Sequence, residues 1–382
     1  MTCSPIAPAI FAQPLFVARP MLPPLAEYTQ LLQEVWDSGW LTNGGAQHRA
    51  LEAELSHWLD TPNLSLFNNG TIALIVGCQA LRLSGEVITT PFTFPATPHV
   101  LSWNNVTPVF ADIDPETLCI DPNQVESLVT HRTSGILGVH VYGVPCDVFG
   151  LGTLSRNYGL GLVYDGAHAF GTRIGGKPIA SYGDATMFSF HATKLFHTAE
   201  GGALAVSDPD LKRRIDLLKN FGIKNEDEVV MPGINGKMSE IQAALGRVVL
   251  RHVDAERQRR VAIRAVYQER LCATPGLRLL CMPVDATDSL QYLVLRVDAK
   301  AAGCSRDTLH DRLKRFNIIT RKYFNPLCSD YSCYSQLPSA SPSRLPNAYR
   351  VASEMLVLPL FGELTNDDVH HVCDAIDYSL RH

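Results

Sequence analysis

Apolar positions recur at helical spacing in two stretches near the start of the chain, about Leu25 to Trp36 and about Gln47 to Leu59, and each predicts an amphipathic helix. From Leu64 onward the pattern changes to short apolar runs separated by helical stretches. Strands are expected at Glu86 to Thr89, Thr107 to Ala111, Gly135 to Val141, Leu160 to Asp165, Ala185 to Phe190 and Ala203 to Val206. Helices are expected after Asn69-Gly70-Thr71, near Pro98 to Trp103 and around Asp121 to Val129. Strands and helices alternating in this way fold as a largely parallel sheet covered on both faces, which puts the chain in the α/β class. A long helix rich in basic residues, about Met238 to Arg270, leads into a second region. Its strands (Leu277 to Met282, Gln291 to Val297, Ile318 to Thr320) and helices (Ser305 to Phe316, Pro346 to Met355, Asn366 to Leu380) predict a smaller α+β domain. The expected division is a large domain over 1–250 and a small one over 251–382. Pro5 to Val17 reads as an extended arm because Pro8 and Pro14 interrupt its apolar run, and Cys328 to Pro342, rich in serine, tyrosine and proline, reads as a surface loop.

Composition narrows the function. The 382 residues are 46% hydrophobic and 19% charged, which suits one large globular unit or two domains. A net charge of −5 and an isoelectric point near 6.2, without a long lysine or arginine run, argue against nucleic acid as the main partner. Ten cysteines are scattered without a CxxC pair and read as reduced cytosolic thiols. No HExxH or comparable spacing supports a metal. No apolar run is long enough for a membrane span, and Met1-Thr2-Cys3-Ser4 lacks the basic start of a signal peptide, so a cytoplasmic protein is expected. Gly150-Leu151-Gly152-Thr153-Leu154-Ser155 lacks the third glycine of the dinucleotide fingerprint, and no GxxxxGKS/T loop occurs, so NAD and ATP are poor cofactor candidates.

Three stretches carry candidate chemistry. Lys194 sits on a short loop between the runs Ala185 to Phe190 and Ala203 to Val206, flanked by apolar and aromatic residues. Loss of solvation there disfavours the ammonium form and leaves an amine able to form a Schiff base, although a lysine that snorkels to the surface has the same local sequence. Upstream, the run Gly161 to Tyr164 ends in Asp165, which puts a carboxylate where a parallel strand meets its loop and where open α/β sheets bind ligands. Leu66 to Thr71 followed by the apolar Ile72 to Val76 looks like a loop opening a helix, either an ordinary cap or an anion cradle. A lysine for the Schiff base, an acid against a pyridine nitrogen and a phosphate cradle are together what pyridoxal 5'-phosphate requires.

With these residues in view, the chain resembles the sugar aminotransferases of the DegT/DnrJ/EryC1/StrS family, pyridoxal-phosphate enzymes of the aspartate-aminotransferase (type I) fold. The resemblance covers nearly the whole chain and includes Ser38-Gly39-Trp40-Leu41-Thr42, Asn69-Gly70-Thr71, Thr93-Phe94-Pro95-Ala96-Thr97, Asp112-Ile113-Asp114, Asp165-Gly166-Ala167-His168-Ala169, Ser189-Phe190-His191 with Lys194, Gly233 to Glu240 and Thr320 to Phe324. It implies that Lys194 joins the cofactor and shuttles a proton, that Asp165 holds the pyridinium proton, and that His168 touches the ring hydroxyl where relatives usually carry glutamine. Phe94 matches the residue stacked on the pyridine ring; Gly70, Thr71 and Ser189 match phosphate contacts; Asn235 lies in a loop that reaches the neighbouring subunit's phosphate, which implies a homodimer with shared active sites. Tyr323 matches a position near the sugar, with a packing role as its alternative, and Lys237 is expected to pair with the nucleotide diphosphate or with Glu240. His140, His191 and His197 read as structural.

The implied reaction transfers an amino group from L-glutamate to the keto group of a nucleotide-linked deoxysugar. The local pattern around Lys194 and His168 looks most like members that aminate dTDP-4-keto-6-deoxyglucose at C4, for a surface polysaccharide such as a lipopolysaccharide O-antigen or for a glycosylated metabolite. The alternatives are a 3-keto nucleotide-sugar aminotransferase and a non-catalytic regulatory relative. A dehydrating offshoot of the family carries histidine in place of the lysine, and Lys194 argues against it.

Overall fold

The short apolar runs of the first half of the chain assemble into one seven-stranded sheet in the computed structural model, which describes residues 8–382. Its strands are β1 (Leu64–Phe67), β2 (Glu86–Thr89), β3 (Thr107–Phe110), β4 (Thr133–Val139), β5 (Gly161–Asp165), β6 (Ala185–Ser189) and β7 (Gly202–Val206), in the spatial order β1-β7-β6-β5-β4-β2-β3. Neighbours pair in parallel except β7, which is antiparallel to both β1 and β6. The carboxyl ends of β1 to β6 consequently share one edge.

Side-chain alternation explains why both faces are covered. Leu66, Ile88, Ile136, Leu162 and Phe188 belong to one apolar cluster, and their chain neighbours Phe67, Val87, Leu137, Val163 and Met187 to another on the opposite face. Helices Ala46–Trp58 and Val148–Tyr158 pack into the first cluster; Gly70–Ala80, Ala96–Trp103 and Pro209–Leu218 pack into the second. Two of these helices have no counterpart in the sequence reading. Val148–Tyr158 carries Gly150 and Gly152, which weaken a helical pattern, but Asp147 caps it by accepting from Gly150 N at 2.8 Å. Pro209–Leu218 opens with an Asp208 cap and proline at its first position, a start signal that was legible.

The 32-residue helix Glu240–Leu271 opens on a capping box between Ser239 and Gln242. Ala243, Val249 and Val253 sit in the first cluster, whereas Ile263, Tyr267 and Leu271 enter a third. That third cluster lies on an antiparallel sheet of β8 (Leu277–Leu279), β9 (Leu293–Val297) and β10 (Met355–Leu358), with helices Arg306–Lys314 and Asn366–Arg381. β10 corrects the expectation of a helix through Met355: the helix stops at Glu354, and the buried run Met355 to Leu358 pairs with β9.

Two further expectations change. Of the arm, Pro5 to Ala7 and Met1 to Ser4 lie outside the described residues; Leu15–Phe16 is extended and pairs in parallel with Ile318–Ile319, which therefore does not join the small sheet. Cys328 to Pro342 is not a plain surface loop. Cys328, Tyr334 and Ala340 are buried in the first cluster, and Cys328 Sγ donates to Thr93 O at 3.2 Å. Its polar composition concealed these three buried anchors.

Midway along the long helix, Glu256 and Arg260 form a buried pair at 2.7 Å, and Glu256 also accepts from Gly362 N at 2.8 Å. Glu256→Leu would leave the Arg260 guanidinium buried without its counter-charge. We expect a loss of about 3–5 kcal/mol in stability, read as a large drop in thermal midpoint.

Candidate active site

Three strand ends meet at the carboxyl edge of the large sheet. β5 delivers Asp165, β6 delivers Ser189, and β1 runs through Asn68 and Asn69 into the helix Gly70–Ala80. Gly202, the first residue of β7, pairs with Phe67 on one side and Ser189 on the other, so it sits between the two loops. A Cβ on Gly202 would stand 2.6 Å from Gly70 N, and one on Gly70 would stand 2.9 Å from the Met187 sulfur. The loops close only because neither residue has a side chain. Asn69 caps the helix by accepting from Ile72 N at 2.8 Å, which leaves the N–H groups of Gly70 and Thr71 without helical partners at the positive end of the dipole.

Asp165 is buried, and both carboxylate oxygens are occupied on the protein side. One accepts from Ala167 N at 3.0 Å, the other from the Thr97 hydroxyl at 2.8 Å, and Thr97 is in turn bonded to Thr93 at 2.8 Å. Burial pushes the Asp165 carboxyl above its ordinary range, against the pull of those bonds and of Lys194. Burial likewise brings the Lys194 amine down to about 8, with Asp165 and Tyr323 opposing the fall. His168 is held well below the usual imidazole range by burial and by Lys194, so it is neutral, and its Nδ1 has no partner. Its ring meets Tyr292 edge-on at 5.0 Å and stacks with Phe324 at 5.9 Å. Lys194 Nζ lies 5.9 Å from the Tyr292 ring centre.

Of the residues expected at the site, Gly70, Thr71, Phe94, Asp165, His168, Ser189, Lys194 and Tyr323 line one cavity of about 290 Å³. Asn235 and Lys237 do not. Asn235 lines a neighbouring apolar groove of about 820 Å³ that shares Thr71, Phe94 and Ala96 with the cavity. Lys237 donates to Asn235 Oδ1 at 2.7 Å and stands 4.5 Å over the Phe221 ring. Glu240, the alternative partner for Lys237, accepts instead from the N–H groups of Gln47 and His48 at 2.8 Å each. Phe94 is 57% exposed, with its ring at the shared rim.

Sequence reasoning gave no role to Thr97, Tyr292, Phe324 or Glu200, all of which support or line the cavity. His191, expected to be structural, is in the cavity wall, with Nδ1 2.9 Å from the Thr193 hydroxyl and Nε2 3.7 Å from Glu200. His140 and His197 are interior groups, one stacked on Tyr164 at 4.6 Å and the other bonded to Met21 O at 2.8 Å. Thr97 and Phe324 each close a stretch that resembles the family, Thr93 to Thr97 and Thr320 to Phe324, and that was their one signal.

Among the described residues, three features of the cavity call for a complement: a buried carboxylate with no cation hydrogen-bonded to it, a buried imidazole nitrogen with no partner, and a pair of N–H groups at a helix start without helical partners. One ligand with a protonated ring nitrogen, a ring hydroxyl and an anionic tail satisfies all three.

The model of the DegT/DnrJ/EryC1/StrS aminotransferase family matches residues 25–377. The dTDP-4-amino-4,6-dideoxy-D-glucose transaminase of Escherichia coli is 43% identical over 356 residues, covering 92% of this chain and 95% of that protein. The enzyme of the same name from Shigella dysenteriae is 40% identical over 364 residues, 95% and 98% of the two chains. Among solved structures, DesI in the presence of its TDP-sugar product superposes with a TM-score of 0.93 at 38% identity, over 98% of this chain and 95% of that one.

Proposed function

The chain belongs to the DegT/DnrJ/EryC1/StrS aminotransferase family, and from that premise we propose that it transfers the amino group of L-glutamate to C4 of dTDP-4-keto-6-deoxy-D-glucose, using pyridoxal 5'-phosphate. The observation that carries this reading is the convergence of the Lys194 amine, the Asp165 carboxylate and the Gly70–Thr71 helix start on one cavity. The similarity to the E. coli and Shigella enzymes supports the choice of sugar.

When bound, the cofactor supplies an aldehyde carbon and an electron sink that accepts charge from a carbon losing its proton. The protein's part follows from its own residues. The N–H groups of Gly70 and Thr71, with the Ser189 hydroxyl, would hold the phosphate. Asp165, fixed by Thr97 and Ala167, would keep the ring nitrogen protonated. Neutral His168 would meet the ring hydroxyl, with Phe94 at the rim of the cavity. Lys194, whose amine is largely neutral above pH about 8, would bind the cofactor through its nitrogen and carry the proton taken from the donor's Cα. Tyr323, in the same wall, would meet the sugar. The cavity is at the small end of ligand sites, roughly 300 to 1,000 Å³, so the nucleotide extends outward toward the rim shared with the apolar groove.

The same proposal includes the division at 1–250 and 251–382, supported by the separate third cluster, action in the cytoplasm, and a product destined for surface polysaccharide or a glycosylated metabolite. It also includes a homodimer in which Asn235 and Lys237 serve the partner's site, supported by the exposure of Trp103 (79%) and Phe94 beside the groove. Lys194→Ala and Asn235→Asp chains, each inactive, should recover activity when co-expressed, because one site of each mixed dimer then has both residues intact. Mixed dimers that form and stay inactive would show that Asn235 acts within its own chain.

An assay of dTDP-, UDP- and GDP-linked keto sugars with glutamate tests the substrate. The dTDP-4-keto sugar should give the highest kcat/KM; preference for a 3-keto sugar would overturn the position, and no turnover with any would overturn the reading.

A further inference from the structure

One buried side chain holds the Lys194 loop from both sides. Gln291 Oε1 accepts from Leu195 N at 2.9 Å, and its Nε2 donates to Thr193 O at 3.0 Å. The two peptide groups flanking Lys194 are thereby bound to a single amide, whose orientation is dictated by one donor and one acceptor. Such a pair is what a neighbouring strand would provide, but here the chain between β6 and β7 is a loop and a side chain takes the strand's place.

Gln291 itself is delivered by an anchored turn. Leu290 has φ of 58°, a left-handed conformation that leucine rarely adopts. Three arginines on one face of the long helix grip the turn: Arg257 donates to Asp288 O at 2.8 Å and to Ser289 O at 3.3 Å, Arg260 donates to Leu290 O at 3.2 Å, and Arg264 pairs with the Asp288 carboxylate. The residue after the amide, Tyr292, presents its ring to the Lys194 amine and its edge to His168. Backbone clamp and amine environment therefore come from one dipeptide.

We propose that Gln291 is the positioning residue that sets where the Lys194 amine stands, fixed from behind by the row Arg257, Arg260 and Arg264. The inference rests on reading Lys194 as the reactive amine of the proposed transamination. Four rotatable bonds separate that amine from its backbone, so a loop free to shift would scatter its position; a misplacement of about 1 Å is worth on the order of 10²-fold in rate.

The test uses full-length, cofactor-free protein. Brief treatment with acetic anhydride across a pH series, read at the Lys194 peptide by mass spectrometry, reports the amine's titration, which for the wild type centres on about 8. The groups facing the amine are Asp165, Tyr323, Tyr292 and His168, with His191 and Glu200 at the wall. In Gln291→Met, which keeps the bulk and loses both bonds, the midpoint should move up by about one unit or more toward the ordinary lysine value near 10.4. The Leu195 amide should exchange about tenfold faster. The loaded enzyme should lose on the order of 10²-fold in kcat with little change in KM for glutamate. Gln291→Glu keeps an acceptor for Leu195 N, so its Leu195 exchange rate and kcat should fall between, and those two readouts carry the test if the methionine variant does not fold; its added charge shifts the midpoint on its own. Wild-type midpoints and exchange rates in the folded variants would overturn the inference. If the midpoint shifts while Lys194→Ala remains active, the clamp stands and the functional reading falls instead.

Discussion

Lys194→Ala protein should fold normally and show no measurable amino transfer. In the proposed reaction the substitution removes the reactive nitrogen and the proton carrier together, and general acid–base work alone is worth about 10²- to 10⁴-fold, so kcat should fall by more than about 10⁴-fold. Stability should not fall with it. The folded amine titrates near 8, below its unfolded value, so the unfolded chain binds the extra proton between those values and stability rises with pH through that window. Below pH about 8 the protonated amine opposes folding, and alanine relieves that opposition. Thermal melts at pH 7 should therefore place the variant level with the wild type or slightly above it. Retained turnover would remove Lys194 from the mechanism.

The second large effect is expected at Asp165. Asp165→Asn keeps the shape and can keep both contacts, its oxygen accepting from Ala167 N and its NH2 donating to a Thr97 hydroxyl that turns to donate to Thr93, but it loses the charge that would hold a proton on the ring nitrogen. That charge acts inside a buried site, where it is worth several kcal/mol, so kcat should drop about a thousandfold or more. His168→Gln, by contrast, replaces one neutral hydrogen-bonding group with another, and its effect should stay within about tenfold. Measuring both variants side by side separates charge from fit. A silent Asp165→Asn would mean that the ring nitrogen does not face this carboxylate.

How much of this could be read beforehand depended on whether the signal was local. Asp165 ends the apolar run that becomes β5 and Lys194 lies on the loop that follows β6, so their place at one sheet edge follows from strand periodicity. Asn69-Gly70-Thr71 announces a helix start in three residues. Gln291 and Tyr292 have no such mark, because each lies in ordinary strand or turn sequence and is brought to Lys194 only by packing of the distant second region. The same holds for β10, whose four apolar residues follow a helix without a break in hydrophobicity. Asn235 and Lys237 were legible as a loop, and they lie outside the cavity that holds Lys194.

The pairing of β7 between β1 and β6 also sets a timetable for the birth of the protein. As the chain leaves the ribosome, β1 emerges early, yet the strand that pairs with it begins only at Gly202, after every other strand of the large sheet has been made. Until then Phe67 and Ser189 have nothing between them, and the anion cradle at Gly70 is open. The loop that carries Lys194 waits longer still, for Gln291, and the wall beside His168 waits for Phe324. Contacts so far apart in sequence close late. Nascent chains arrested before Phe324 lack part of the cavity wall.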